Sequence, residues 1–180
     1  MSQVKPESSG AVSGTATERA EHSVPEWVYP YKAGVIGGAF GGLAMVLVAA
    51  LYGFWSGRGI WLPVNLIGAT FVRDLQGASL ETLAVFNLAA LIVGMVLHGI
   101  LSVGLGFVFS LLLPTMPGPP LIWALTVGPL LWVIATWLAL PIINPVMADK
   151  LEWSSFFLAH LAYGLVMGGY VARQPKIHVD

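Results

Sequence analysis

Residues 82–148 read TLAVFNLAALIVGMVLHGILSVGLGFVFSLLLPTMPGPPLIWALTVGPLLWVIATWLALPIINPVMA, without one Asp, Glu, Lys or Arg. Soluble chains carry roughly 25% charged residues, so this stretch cannot face water. A Pro/Gly turn at 114–120 divides it into two apolar runs. Each exceeds the ~20 residues that a helix needs to cross hydrocarbon. Working outward, Ala33–Gly57 and Ser154–Ala172 are uncharged as well. The reading is an all-α membrane protein with four transmembrane helices, at about 33–55, 83–113, 119–140 and 154–172. Whole-chain figures agree: 57% apolar, 9% charged and a mean hydropathy of +0.80.

Several function classes fall away. The chain has no Cys, which removes disulfide frameworks, zinc–thiolate sites and iron–sulfur clusters. A formal net charge of −1 offers no basic field for nucleic acid. Ion-coupled transport ordinarily uses an embedded carboxylate or cation, and the spans hold none. No nucleophile, base and orienter come together in the sequence, so an enzyme is not expected.

Residues 1–32 form a polar N-terminal tail that ends in an interfacial belt of Trp27, Tyr29, Tyr31 and Lys32. Its first 26 residues lack an apolar run, which predicts disorder or docking on a partner and argues against a signal peptide. Residues 173–180 are a short C-terminal tail. Loops 56–82 and 141–153 lie on the face opposite the termini, with Trp55, Trp61, Trp137 and Trp153 as anchors. The apolar piece 59–72 is too short to cross and reads as an interfacial or re-entrant segment. Pro63 and Asn65 in the first loop, with Asn144 and Pro145 in the second, share residue types with the half-helix loops of water channels. A small-solute channel is therefore one reading, although those loops enter from opposite faces and these share one. Pro129 predicts a kink in the third span. Lys5, Arg19, Lys32, Arg173 and Lys176 outnumber Arg58, Arg73 and Lys150, five against three, which predicts both termini on the cytoplasmic side.

Small residues recur every four positions, on one helix face. Span one carries Gly34, Gly38 and Gly42. Span two carries Gly94, His98, Ser102, Gly106 and Ser110; span four carries His160, Gly164, Gly168 and Ala172. The shared pattern suggests a tandem duplication of a two-helix unit, with spans two and four as parallel counterparts. Such stripes let helices approach closely, against one another or against a partner.

Only His98 and His160 are ionisable within the spans, and intramembrane ionisable groups are functional candidates by default. Three readings stay open. A b-type haem held by both imidazoles is one, with the glycines making room for the ring. A quinone hydrogen-bonded by an imidazole beneath Phe107, Phe109, Phe157 or Tyr163 is another. The third is plain interhelical hydrogen bonding to a neighbouring carbonyl or hydroxyl, with no cofactor at all.

Four glycine-striped helices without catalytic groups fit a non-catalytic accessory subunit whose partners are lipid and the other membrane subunits of a larger complex. Gly59-Ile-Trp-Leu-Pro-Val-Asn-Leu66, Ile143-Asn-Pro145, Trp153, Phe156, His160, Tyr163-Gly164 and Gly168 resemble a group of uncharacterised bacterial four-helix membrane proteins. The resemblance covers residues 33–172. Members of that group are encoded near respiratory oxidase or electron-transfer complexes, so it implies a respiratory setting for the larger complex.

Overall fold

A computed structural model describes residues 27–178, so the tail residues 1–26 and their charges lie outside the described residues. Four helices are long and apolar enough to cross a membrane: Tyr31–Trp55, Leu88–Thr115, Pro120–Ile143 and Trp153–Ala172. The first is α1. Two short helices follow in the first loop, α2 (Leu62–Gly68) and α3 (Leu80–Leu83). The second span is α4 (Leu88–Leu112), closed by a 3-10 turn at Leu113–Thr115.

That span begins five residues later than the apolar run does, for a local reason. Ser79 caps α3 by accepting the Thr82 amide, and Asn87 caps α4 by accepting the Ala90 amide at 3.0 Å. Side-chain oxygens at these positions satisfy amides that a helix start leaves open. Leu83 therefore closes α3, and the apolar residues 84–86 belong to the link between two capped helices.

The third span consists of α5 (Pro120–Ile134), one π turn (Ala135–Ala139) and α6 (Leu140–Ile143). The irregularity was expected at Pro129, yet α5 runs through that residue without a break. It falls just before Pro141 instead. Pro141 has no amide to give one turn back, and the Leu140 amide reaches five residues back to the Ala135 carbonyl. A short loop helix, α7 (Pro145–Lys150), leads to α8 (Trp153–Ala172).

The packing order is α4–α1–α8–α5: α1 lies against both α4 and α8, and α8 also packs on α5. Two cores result. One lies within the bundle around Phe109, Tyr163, Met167 and Val171. The other lies at the loop face and joins α2, α3, α4 and α7 through Leu66, Leu75, Leu83, Ala90 and Val146. The outward faces stay apolar, with Leu47, Phe54, Ile100, Leu101, Leu130 and Leu138 exposed, as a lipid-facing surface requires.

The two ends of the described residues meet at the other end of the bundle. Trp27–Val28 (β1) pairs antiparallel with Ile177–His178 (β2), Trp27 opposite His178 and Val28 opposite Ile177. Lys176 lies 5.4 Å from the Tyr29 ring centroid, and Trp27 meets the His178 ring edge-on. The expected aromatic belt is thus also a clasp.

Candidate functional site

The glycine stripes are filled by the chain itself. A methyl group on Gly34 would overlap the Gly106 carbonyl, and one on Gly38 would overlap the Ser102 carbonyl. At Gly42 it would sit 2.7 Å from Ser102 Oγ. Gly164 and Gly168 press on Ala124 of α5 in the same way. Gly94 faces α2 instead, with the Val64 carbonyl 3.2 Å from the place a Cβ would take. Of the two uses expected of the stripes, against one another or against a partner, the contacts at these glycines are with the chain's own helices.

The two imidazoles are set apart by their surroundings. His98 Nε2 donates to the Gly42 carbonyl on α1 at 3.0 Å and lies 3.5 Å from Ser102 Oγ. A carbonyl only accepts, so Nε2 carries the hydrogen and Nδ1 keeps its lone pair. His160 is 8% exposed, and its Nδ1 donates to the Phe156 carbonyl one turn back in its own helix at 2.8 Å. The ring meets Phe156 edge-on. A haem bridged by both histidines does not fit. His98 has its Nε2 committed to α1, His160 does not line the cavity that His98 lines, and the stripes meant to admit the ring are closed. The aromatic cover expected for a quinone is elsewhere too. Phe109 and Tyr163 belong to the bundle core, Tyr163 giving its hydroxyl to the Ser102 carbonyl at 2.7 Å, and Phe157 packs on Trp132.

What His98 does line is a cavity of about 670 Å³. Helices α1 and α4 touch backbone to backbone at Gly34 and Gly38, with Gly42 against the Ser102 side chain, and residues of both from that level towards the loops line the cavity. From Gly42 to Gly53, α1 advances about 16 Å at the helical rise. Over that distance α2 and the start of α8 stand in as further walls. The floor is His98, Gly42 and Ser102, and the walls are Leu, Ile, Val, Met and Ala. Leu43, Val46 and Met95 line it and are exposed on the outer face, so the cavity opens sideways into the lipid. The loop-side mouth holds Tyr52, Trp61, Arg58, Lys150 and Glu152.

Two buried asparagines hold that mouth in shape. Asn65 is 0% exposed, and its amide donates to the Leu83 and Val85 carbonyls, both at 2.7 Å. Asn144 is 1% exposed and caps α7 by accepting the Met147 amide at 3.2 Å. Its own amide reaches the Leu66 carbonyl at 2.7 Å and Thr70 Oγ1 at 3.0 Å. Gln76 completes the knot, donating to the Ala69 carbonyl at 2.8 Å and to Asn144 Oδ1 at 3.2 Å. Pro63 and Pro145 sit in the first turns of α2 and α7, where no intrahelical amide is missed. These loop residues therefore act as struts. Glu152 caps α8 through the Ser154 and Ser155 amides. Burial alone would raise its carboxyl, but the hydrogen bonds from Ser154 and Ser155 together outweigh that and hold it below the ordinary value.

No family model, curated protein or solved structure matches the chain. The site rests on its own geometry. Sequence spacing singled out His98, Gly94, Ser102, Asn65 and Asn144, which the fold gathers around one cavity and its mouth. It did not bring His160, Gly164 and Gly168 there; they serve the α5–α8 contact. Gln76, Arg58, Lys150 and Trp61 were not singled out as site residues. Only the rarity of charge in this chain marked Arg58 and Lys150.

Proposed function

We propose that this chain is a non-catalytic, multi-pass accessory protein of the bacterial inner membrane whose working site is the lateral cavity between α1 and α4. The site takes one amphiphile from the lipid phase. The observation that carries this is the cavity: apolar along its length, polar only at its two ends, and open towards lipid. Ligand sites of 300–1,000 Å³ are lined in this way. The resemblance to proteins encoded beside electron-transfer complexes supports a place in such an assembly, with both termini cytoplasmic.

The test is direct. The full chain, purified in mild detergent, is extracted with organic solvent and the extract weighed by mass spectrometry against an Ala49→Phe variant, whose ring fills the cavity. One amphiphile per chain, lost in the variant, is expected. Equal retention by both would remove the cavity from the account.

A quinone is the second reading, favoured by one observation: the His98 imidazole lies at the cavity floor with its Nδ1 lone pair uncommitted. His98 lies about 15 Å along α4 from Leu88, near mid-bilayer depth. There it would accept a hydrogen bond from a quinol hydroxyl. A short-chain quinol that binds the wild type and fails on His98→Ala supports this reading over a phospholipid.

A tandem duplication belongs to the same proposal, and helix register supports it. In the first half Gly42, Gly38 and Gly34 of α1 meet the stripe that starts at His98. In the second half Gly128 and Ala124 of α5 meet the stripe that starts at His160. Each half then supplies a buried loop asparagine, Asn65 or Asn144.

A further inference from the structure

The cavity mouth is charged, and its charges are unevenly answered. Arg58 and Lys150 both line it. Arg58 has no ion-pair partner among the described residues. Lys150 has a side chain only 24% exposed, and its one ion pair, to Asp149 at 3.4 Å, is with a carboxylate 76% exposed to solvent. The third charged group, Glu152, is committed elsewhere: its oxygens take the Ser154 and Ser155 amides of α8, the latter at 2.6 Å. A neutral, wholly apolar occupant would leave Arg58 without an ion pair among the described residues and Lys150 with only its solvent-exposed partner Asp149. An anion at the mouth would answer both, and a chain attached to it would run about 16 Å down the apolar walls, from the level of Gly53 to that of Gly42. The direction matches the bilayer, since the mouth is at the interfacial end of both helices and the floor is near mid-depth.

We propose that the occupant is an anionic phospholipid, its phosphate held between Arg58 and Lys150 and one acyl chain laid in the α1–α4 cavity. This rests on the cavity reading above and adds the identity of the head group. Basic residues at a membrane surface recognise anionic lipid through Coulomb attraction. Here Lys150 is partly withdrawn from water, where such attraction is less screened. Trp61, in the mouth and edge-on to Phe86, is a built-in reporter.

The experiment uses the full chain in phosphatidylcholine vesicles containing a minority of phosphatidylglycerol. Brominated acyl chains are placed on one lipid at a time, and a Trp61→Phe variant supplies the background from the other tryptophans. The expected result is stronger quenching of the Trp61 component by brominated phosphatidylglycerol than by equal brominated phosphatidylcholine. That preference should fall about fivefold for each charge removed in Arg58→Gln and Lys150→Met. Equal quenching by both lipids, unchanged in those variants, would overturn the anionic head group while leaving the cavity occupied by lipid. No Trp61 quenching by either, with the same signal in Ala49→Phe, would overturn the cavity reading itself. A short-chain quinol that displaces brominated phosphatidylglycerol from wild type but not from His98→Ala would overturn the phospholipid in favour of a head group at the floor.

Discussion

Gly38 on α1 and Gly104 on α4 are the same residue type in opposite surroundings. A Cβ on Gly38 meets the Ser102 carbonyl and lies 3.1 Å from Gly106 Cα, and neither is the movable end of a side chain. A Cβ on Gly104 meets nothing within 4 Å among the described residues. Gly38→Ala should therefore push α1 from α4 and cost about 1–3 kcal/mol, the usual range for overpacking. Gly104→Ala should be neutral or stabilise by up to about 1 kcal/mol, because alanine is the better helix former. Unfolding of both variants in mixed detergent, followed by far-UV circular dichroism, checks this. Equal loss in both would mean that the α1–α4 contact is not what glycine serves here. The four-residue spacing made these positions visible in sequence, since a stripe on one face is a local property. What the stripe faces is not local. Gly34, Gly38 and Gly42 were legible as a contact, but only the fold says that the contact is α4 and not a partner. The same limit explains Lys150: its charge was plain, while its position on a cavity wall depends on where α7 leaves it.

The short helices of the loop face decide whether a cavity exists at all. The apolar piece at 59–72 was legible as too short to cross, but its docking was not. Docking depends on Asn65, Gln76 and Asn144, residues as far as 79 positions apart in sequence numbering and joined only in the fold. Asn144 is the strut with the most to lose. Asn144→Leu removes the α7 cap and leaves the Leu66 carbonyl and the Gln76 amide without this partner. The buried Leu66 carbonyl loses its side-chain donor at a cost of about 1–3 kcal/mol, while Gln76 keeps its bond to the Ala69 carbonyl. The effect should be confined to the loop face, because the bundle core around Tyr163 and Met167 does not include Asn144. Hydrogen exchange should thus rise in residues 62–83 and 140–151 while the amides of α1 and α8 stay protected. Uniform loss of protection through all four spans would mean that the loop core and the bundle form one cooperative unit.

At the scale of the whole molecule, four crossings require both termini on one face and both loops on the other. The clasp of β1 and β2 is consistent with this: two strands cannot pair from opposite sides of a bilayer. The absence of cysteine makes the arrangement easy to test, because any thiol introduced is the only one in the chain. In a Val28→Cys, Ile177→Cys pair, the residues are direct partners in the antiparallel ribbon. Cα atoms so placed are about 4.5–5.5 Å apart, within the range that a disulfide spans. Mild oxidation should close the bridge, read as faster migration of the denatured, unreduced chain. A single Ile177→Cys and a single Ser56→Cys then report the two faces, since both native residues lie in exposed positions outside the spans. A thiol reagent that does not cross lipid should label Ile177→Cys in inverted vesicles and Ser56→Cys in right-side-out spheroplasts. Labelling of both from the same side would break the even count of crossings. It would also put the cavity mouth, with Arg58 and Lys150, on the face of the terminal clasp, and no arrangement of the packing order α4–α1–α8–α5 allows that.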